Sequence, residues 1–157
     1  MDFPLELRGI APWVSESNFP VVEGHYQMTD DWWVTLPKPM KRRFEDESLV
    51  LWRKGLTIWT IVWNNDDDRT QDEILESLRG AASAEAFDVV VRQDRGLTRY
   101  SYRLDEEREE GLVHALYVFS IADIGHVQMA IYFDVESDLE EARAIGDSLR
   151  LRGARVA

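Results

Sequence analysis

The sequence predicts an α+β protein: a meandering antiparallel sheet with two amphipathic helices, sandwich-like in build. Three observations carry that expectation. Short stretches rich in β-branched and aromatic residues recur along the chain, separated by turn signals. Two segments, one midway and one near the end, switch to helical spacing behind a capping-box pattern. The connections between successive strands are too short for the crossovers that a parallel sheet needs.

Residues 1–19 hold two Pro, a Gly and the run Ser15-Glu16-Ser17-Asn18, and read as an irregular arm docked through Trp13 and Phe19. Val21 to Met28 and Trp32 to Leu36 read as extended. Adjacent residues of a strand point to opposite sides, so one of Trp32 and Trp33 belongs to the core and the other is exposed or covered by the arm. Pro37-Lys38-Pro39 predicts a loop, because proline fixes φ and lacks the N–H a ladder needs. Ser48 to Trp52 and Leu56 to Trp63 are strands joined around Arg53-Lys54-Gly55. The second is apolar on both faces, which predicts an interior strand covered on both sides.

In Thr70-Gln71-Asp72-Glu73 the Thr70 hydroxyl accepts a first-turn N–H and Glu73 reaches back to the cap. Ile74, Leu75, Leu78 and Ala82 then form one apolar stripe. Val89 to Val91, Leu97 to Leu104, Leu112 to Ser120 and His126 to Phe133 are four further strands, with loops at 105–111 and 121–125. Ser137-Asp138-Leu139-Glu140 is a second capping box, with Ser137 as N-cap and Leu139, Ala142, Ile145 and Leu149 on one side. Residues 20–150 form one domain and 151–157 a frayed tail.

This order of elements resembles the Mog1/PsbP-like α/β/α sandwiches. The residues that carry the likeness are the Ser48–Trp52 and Leu56–Trp59 hairpin before a helix, the Leu97–Leu104 strand, the aromatic Leu116-Tyr117-Val118-Phe119, and Ala130 to Asp134 leading into a helix that ends at Ser148-Leu149. The resemblance covers residues 20–150 through element order and hydrophobic pattern, with no shared motif. That family includes accessory photosystem proteins, a regulator of a small GTPase and chaperones for secreted toxins, so the resemblance implies a non-catalytic accessory or binding role. It assigns no residue a function.

At 157 residues the chain can remove about two-thirds of its unfolded surface from water and needs no disulfide or metal staple. Thirty acidic against eighteen basic residues give a net charge of −12, a field that repels nucleic-acid backbones and anionic membranes and suits a basic protein partner. The short cluster Lys41-Arg42-Arg43 is followed at once by Glu45, Asp46 and Glu47. Without cysteine there is no disulfide framework, thiolate nucleophile or zinc ribbon. The opening residues lack a basic and an apolar region, and no apolar run approaches the ~20 residues of a membrane span, so the protein reads as cytoplasmic.

Asn64-Asn65-Asp66-Asp67-Asp68 is the densest oxygen cluster, yet a calcium loop would need Gly at its sixth and Glu at its twelfth position, and both registers fail. It reads as an acidic approach to a helix N-terminus. His25, His114 and His126 show no metal-ligand spacing, and the nine Gly form no nucleophile elbow or phosphate loop. The carboxylate pairs Asp30-Asp31, Asp105 to Glu107 and Glu109-Glu110 lie where solvated turns are expected. No metal or cofactor is implied.

The loop lengths fix a register. With 105–111 as a loop Tyr102 faces His114, and with 121–125 as a loop His114 faces Tyr132. Tyr102, His114 and Tyr132 then form one row, with Gln128 on the same face, and constitute the candidate binding surface. Val127, Met129, Ile131, Phe133, Tyr117 and Phe119 occupy the other face, under the helices. The leading reading is a non-enzymatic accessory domain that binds another protein through a sheet face or edge, with an immunity protein or an effector chaperone as the concrete version. The alternative is a small-molecule-binding protein or enzyme using a pocket between sheet and helices.

Overall fold

The computed structural model describes residues 18–153. Its strands are β1 (Val21–Gln27), β2 (Trp32–Glu45), β3 (Ser48–Arg53), β4 (Leu56–Asn64), β5 (Phe87–Asp94), β6 (Leu97–Arg108), β7 (Gly111–Ala122), β8 (Gly125–Phe133) and β9 (Arg150–Leu151). Helix α1 (Gln71–Ala81) follows β4; a 3-10 turn (Glu136–Asp138) and helix α2 (Leu139–Asp147) follow β8. The fold is a mostly-sheet, antiparallel α+β arrangement.

The strands do not run as one meander. Their order is β1-β2-β3-β4-β8-β7-β6-β5, with β9 added to β2, so two meanders meet where β4 pairs β8 from Leu56↔Phe133 to Asn64↔Gly125. These two strands are apolar on both faces, and Ile58, Ile131 and Ala130 are fully buried. As expected, β4 is interior.

Each face carries one helix. On the first, Ile74 and Leu75 of α1 pack on Trp52, Trp59, Tyr100, Tyr102, Tyr117, Phe119 and Tyr132. On the second, Ala142, Ile145 and Leu149 pack on Trp32, Leu51, Ile58, Leu116, Val118, Met129, Ile131 and Phe133. The expectation of one face beneath both helices is thus corrected. Met129, Ile131 and Phe133 do share a face, but Tyr117 and Phe119 lie on the other.

Two tight turns account for that exchange. Strand β6 runs on to Arg108 and pairs Gly111, so the expected loop at 105–111 shrinks to Glu109-Glu110. Likewise Ala122 pairs Gly125, leaving Asp123-Ile124 as the turn. Gly125 has φ +150, and an added Cβ would fall 2.0 Å from the Trp63 carbonyl oxygen, so only glycine fits there. The prolines give the opposite correction. Strand β2 continues through Pro37 and Pro39 as a bulge, residues 37–39 standing against the single Glu23 of β1 between the pairs Gly24↔Leu36 and Val22↔Met40. Neither β3 nor β9 pairs this stretch, so the missing N–H groups leave no ladder bond unmade.

Thr70 caps α1 as expected: its Oγ1 accepts the Glu73 N–H at 3.1 Å and Glu73 Oε1 accepts the Thr70 N–H at 3.0 Å. Ser137 does not cap α2. It lies inside the 3-10 turn, and Asp138 precedes the helix without a side-chain cap bond. Ion pairs hold that end instead: Arg53 reaches Glu141 at 2.7 Å and Asp138 at 3.3 Å. At the other end Arg99, only 5% exposed, donates to the Leu149 carbonyl, Ser120 Oγ and Asp94.

Trp32 is buried and Trp33 half-buried. Phe19 packs edge-on against Trp52 at 5.0 Å, while Trp13 lies outside the described residues. Leu151 and Arg152, assigned above to the tail, are bound: Leu151 pairs Trp32, and the Arg152 N–H donates to the Asp31 carbonyl.

Gly146 brings α2 close to the sheet, and a Cβ there would lie 2.7 Å from Val118 Cγ2. Gly146→Ala is expected to destabilise by about 1–2 kcal/mol, the overpacking exceeding the gain in helix propensity. Urea unfolding checks this, and in the double variant with Val118→Ala the two losses should fall short of additivity.

Candidate functional site

The observed ladder separates the residues expected to form one row. Tyr102 faces Tyr117 rather than His114, and His114 faces Asp105 on β6 and Phe133 on β8. The register differs by three residues on one side and one on the other, and an odd slip moves a side chain to the opposite face. Tyr102 and Tyr132 remain together on the α1 face through Tyr117. Tyr102 stacks on Tyr117 at 5.1 Å, and the Tyr117 and Tyr132 hydroxyls are 3.0 Å apart. Gln128, half-buried, is opposite Ile61 and Phe119.

These tyrosines are buried, and their phenols stay protonated at neutral pH. Desolvation pushes Tyr102 up to about 12, and raises Tyr132 with help from its bond to Tyr117. A stack of this kind stabilises the sheet by a few tenths to ~1 kcal/mol per pair.

His114 belongs to a different constellation, on the α2 face beside the 3-10 turn. Its ring stacks on Phe133 at 5.4 Å, and its Nδ1 lies 2.9 Å from Asp105 Oδ1 and 3.5 Å from Glu136 Oε2. Arg103 binds the same Glu136 oxygen at 2.7 Å, approaches Asp88 at 3.8 Å and covers the Phe87 ring at 5.1 Å. Arg103 is only 6% exposed. Its hydrogen bond holds the Glu136 carboxyl below the usual range, and the pairing in turn raises Arg103.

Apolar side chains stand open around this cluster: Phe87 37%, Val89 54% and Val90 42% on β5, with Leu112 and Val135 nearby in the fold. Strand β5 ends the sheet, so among the described residues its outer edge pairs with nothing. A bulge between Phe87 and Val90, with Asp88 at φ +51, confines regular pairing to Val90–Asp94. Sequence reasoning missed Arg103 and Glu136, because only the true β6–β7 register and the uncapped start of α2 bring them together. Residues 105–110 are charged at every position, so no polar–apolar alternation signalled that β6 continues past Leu104.

His126 is far from His114. It pairs Trp63 on β4 and stacks on that ring at 6.2 Å, on the α1 face. Among the described residues, no group of three His, Asp or Glu is placed to hold a metal ion. No helix among them is long and apolar enough to cross a membrane.

No family model matches the chain, and no curated protein matches it in sequence. Solved structures do match in shape. A protein from Bacteroides thetaiotaomicron VPI-5482 superposes with a TM-score of 0.66 at 8% identity, over 83% of this chain and 48% of its own. The chain thus spans about half of that structure. Cyanobacterial PsbP (CyanoP) from Synechocystis sp. PCC 6803 gives 0.56 at 10% identity, over 90% and 96% of the two chains. LpqN of Mycobacterium tuberculosis, involved in cell envelope biogenesis, gives 0.50 at 11% identity, over 86% and 93%. The chain has a PsbP/Mog1-like fold.

Within this PsbP/Mog1-like sheet His126 yields a pH prediction. Desolvation, reinforced by the positive charge of Arg69, lowers its imidazole from 6.5 to about 4. Between those values the unfolded chain binds the proton and the folded one does not, so stability is full above pH 6.5 and falls as pH drops toward 4. Between pH 7 and pH 5 the loss is about 2 kcal/mol in order of magnitude. Urea unfolding at pH 7 and pH 5 should show it, and His126→Phe, which keeps the stack on Trp63, should flatten this limb.

Proposed function

We propose that this chain is a non-catalytic accessory domain that binds a basic segment of another protein along the β5 edge. The observation that carries this reading is the row Phe87, Val89 and Val90, exposed on a strand whose outer edge has no neighbour among the described residues. Such an edge offers unpaired N–H and C=O groups to an added strand, and the open apolar side chains supply contact area. The bulge at Asp88 limits the regular stretch to Val90–Asp94, which favours a short partner segment over indiscriminate pairing. The −12 field of the whole chain accelerates encounter with a basic partner. An immunity protein or effector chaperone acting in the cytoplasm is the concrete version, supported by the acidic surface and by the accessory roles within this fold class.

A different observation favours a small-molecule-binding protein as the second reading. An open groove of about 200 Å³ lies between Val21, Met40, Trp52, Arg53 and Lys54, and the buried indole N–H of Trp52 has no hydrogen-bond partner. Its volume is below the ≈ 300 Å³ at which ligand pockets usually begin, which places this reading second.

Affinity capture from a native lysate, with Val90→Lys alongside the parent chain, tests the first reading. Val90 is exposed, so the variant should keep its stability within about 0.5 kcal/mol. A basic protein is expected to be retained by the parent and lost by the variant. Retention by both, or no specific partner for either, would overturn the proposal.

A further inference from the structure

One groove departs from the acidic background of the chain. It lies where β1, β2 and the β3–β4 turn meet, and its apolar lining is Val21, Pro39, Met40 and Trp52. Lys41, Arg53 and Lys54 complete it, so three cations and no carboxylate line a space of about 200 Å³ in a chain of net charge −12. Met40 is 2% and Trp52 5% exposed, and they close the floor. Val21, 60% exposed, and Pro39 leave the β1 side open.

The three cations are not equivalent. Glu141 and Asp138 hold the Arg53 guanidinium at 2.7 and 3.3 Å, and its Nη1 donates to the Lys54 carbonyl at 2.8 Å. Those bonds fix the turn and balance the arginine. Lys38 is likewise taken by Glu141, at 3.0 Å. Lys54, exposed on the turn, forms no ion pair among the described residues. Lys41 faces Trp52 across the β2–β3 ladder, which puts its side chain on the same side of the sheet as that indole. Glu23 and Asp134 stand near the groove but do not line it. Ammonium charge therefore borders the open apolar surface.

A ligand for such a place has two parts. An apolar body displaces water from Val21, Met40 and Trp52, and an anionic end meets the lysines at the rim. The volume is below that of a drug-sized site and suits a single ring or a short chain. We propose that this groove binds a small amphiphilic carboxylate of the arylalkanoate kind, its carboxylate accepting from the Lys54 and Lys41 ammonium groups. The inference rests on the small-molecule reading of this groove and is independent of the β5 edge.

The test follows amide shifts of the ¹⁵N-labelled chain during titration with 3-phenylpropionate, its neutral isostere 3-phenylpropionamide and the cation 3-phenylpropylammonium. Saturable shifts at Met40, Lys41, Trp52 and Lys54 are expected with the acid, which should bind at least threefold more tightly than the amide and more tightly still than the cation. That preference should shrink in about 1 M salt, where the Debye length is only ~3 Å. Lys54→Gln should weaken binding of the acid about threefold, the loss of one exposed charge partner, and leave the amide unchanged. Lys54→Arg should retain the preference. Because Lys54 is exposed, neither variant disturbs the core. If the amide binds as tightly as the acid, or if Lys54→Gln keeps the full preference, the anionic assignment is overturned while the small-molecule reading stands. If none of the three compounds shifts these residues, both fall.

Discussion

The β4–β8 ladder is the constraint on which the rest of the molecule depends. Both strands are apolar on both sides, so a sheet built around them must be covered twice. One helix cannot do this. Helix α1 leaves β4 and crosses one face to reach β5 at the edge, while α2 leaves β8 and crosses the other toward β2, where β9 adds to the sheet. The two-sided core follows from this arrangement: an aromatic layer rich in Tyr and Trp beneath α1, and a mainly aliphatic layer beneath α2.

The second helix is short and uncapped, and arginines from the sheet tie it down. Arg53 takes Asp138 and Glu141 at its start, and Arg99 takes the Leu149 carbonyl just beyond its end. Arg92 adds a contact to Asp147 at 2.8 Å. A partly buried guanidinium with several acceptors holds direction as well as charge, whereas exposed pairs contribute little. These arginines bind part of the carboxylates of an acidic chain, while others stand exposed in the turns and on both helices.

Much of the fold was legible because local chemistry agreed with tertiary need. The doubly apolar run Leu56 to Trp63 could only be an interior strand, and Thr70 with Glu73 could only open a helix. The candidate site was less legible. Placing Tyr102 beside His114 required the β6–β7 turn to be seven residues long, and the chain closes it in two by extending the ladder through Asp105, Glu106 and Glu107. Asp and Glu are depleted in strands, so their composition spoke against one, and the pairing of β6 with β7 overrode that preference. Ser137 misled in the same way: a sound local signal lost to the ion pairs that Arg53 and Arg103 make on either side of it.

By itself the sequence determined the class of fold, the places of eight strands and two helices, and the negative charge, because each of these depends on neighbours within a few residues. Tertiary structure decided the joining of the two meanders at β4 and β8, the assignment of one helix to each face, and the register that parts His114 from the tyrosines. It also decided which polar groups meet: Arg103 with Glu136, and the Thr60 hydroxyl with no partner at all. Those outcomes depend on pairings between residues distant in the chain, where a shift of one position sends every side chain to the other face.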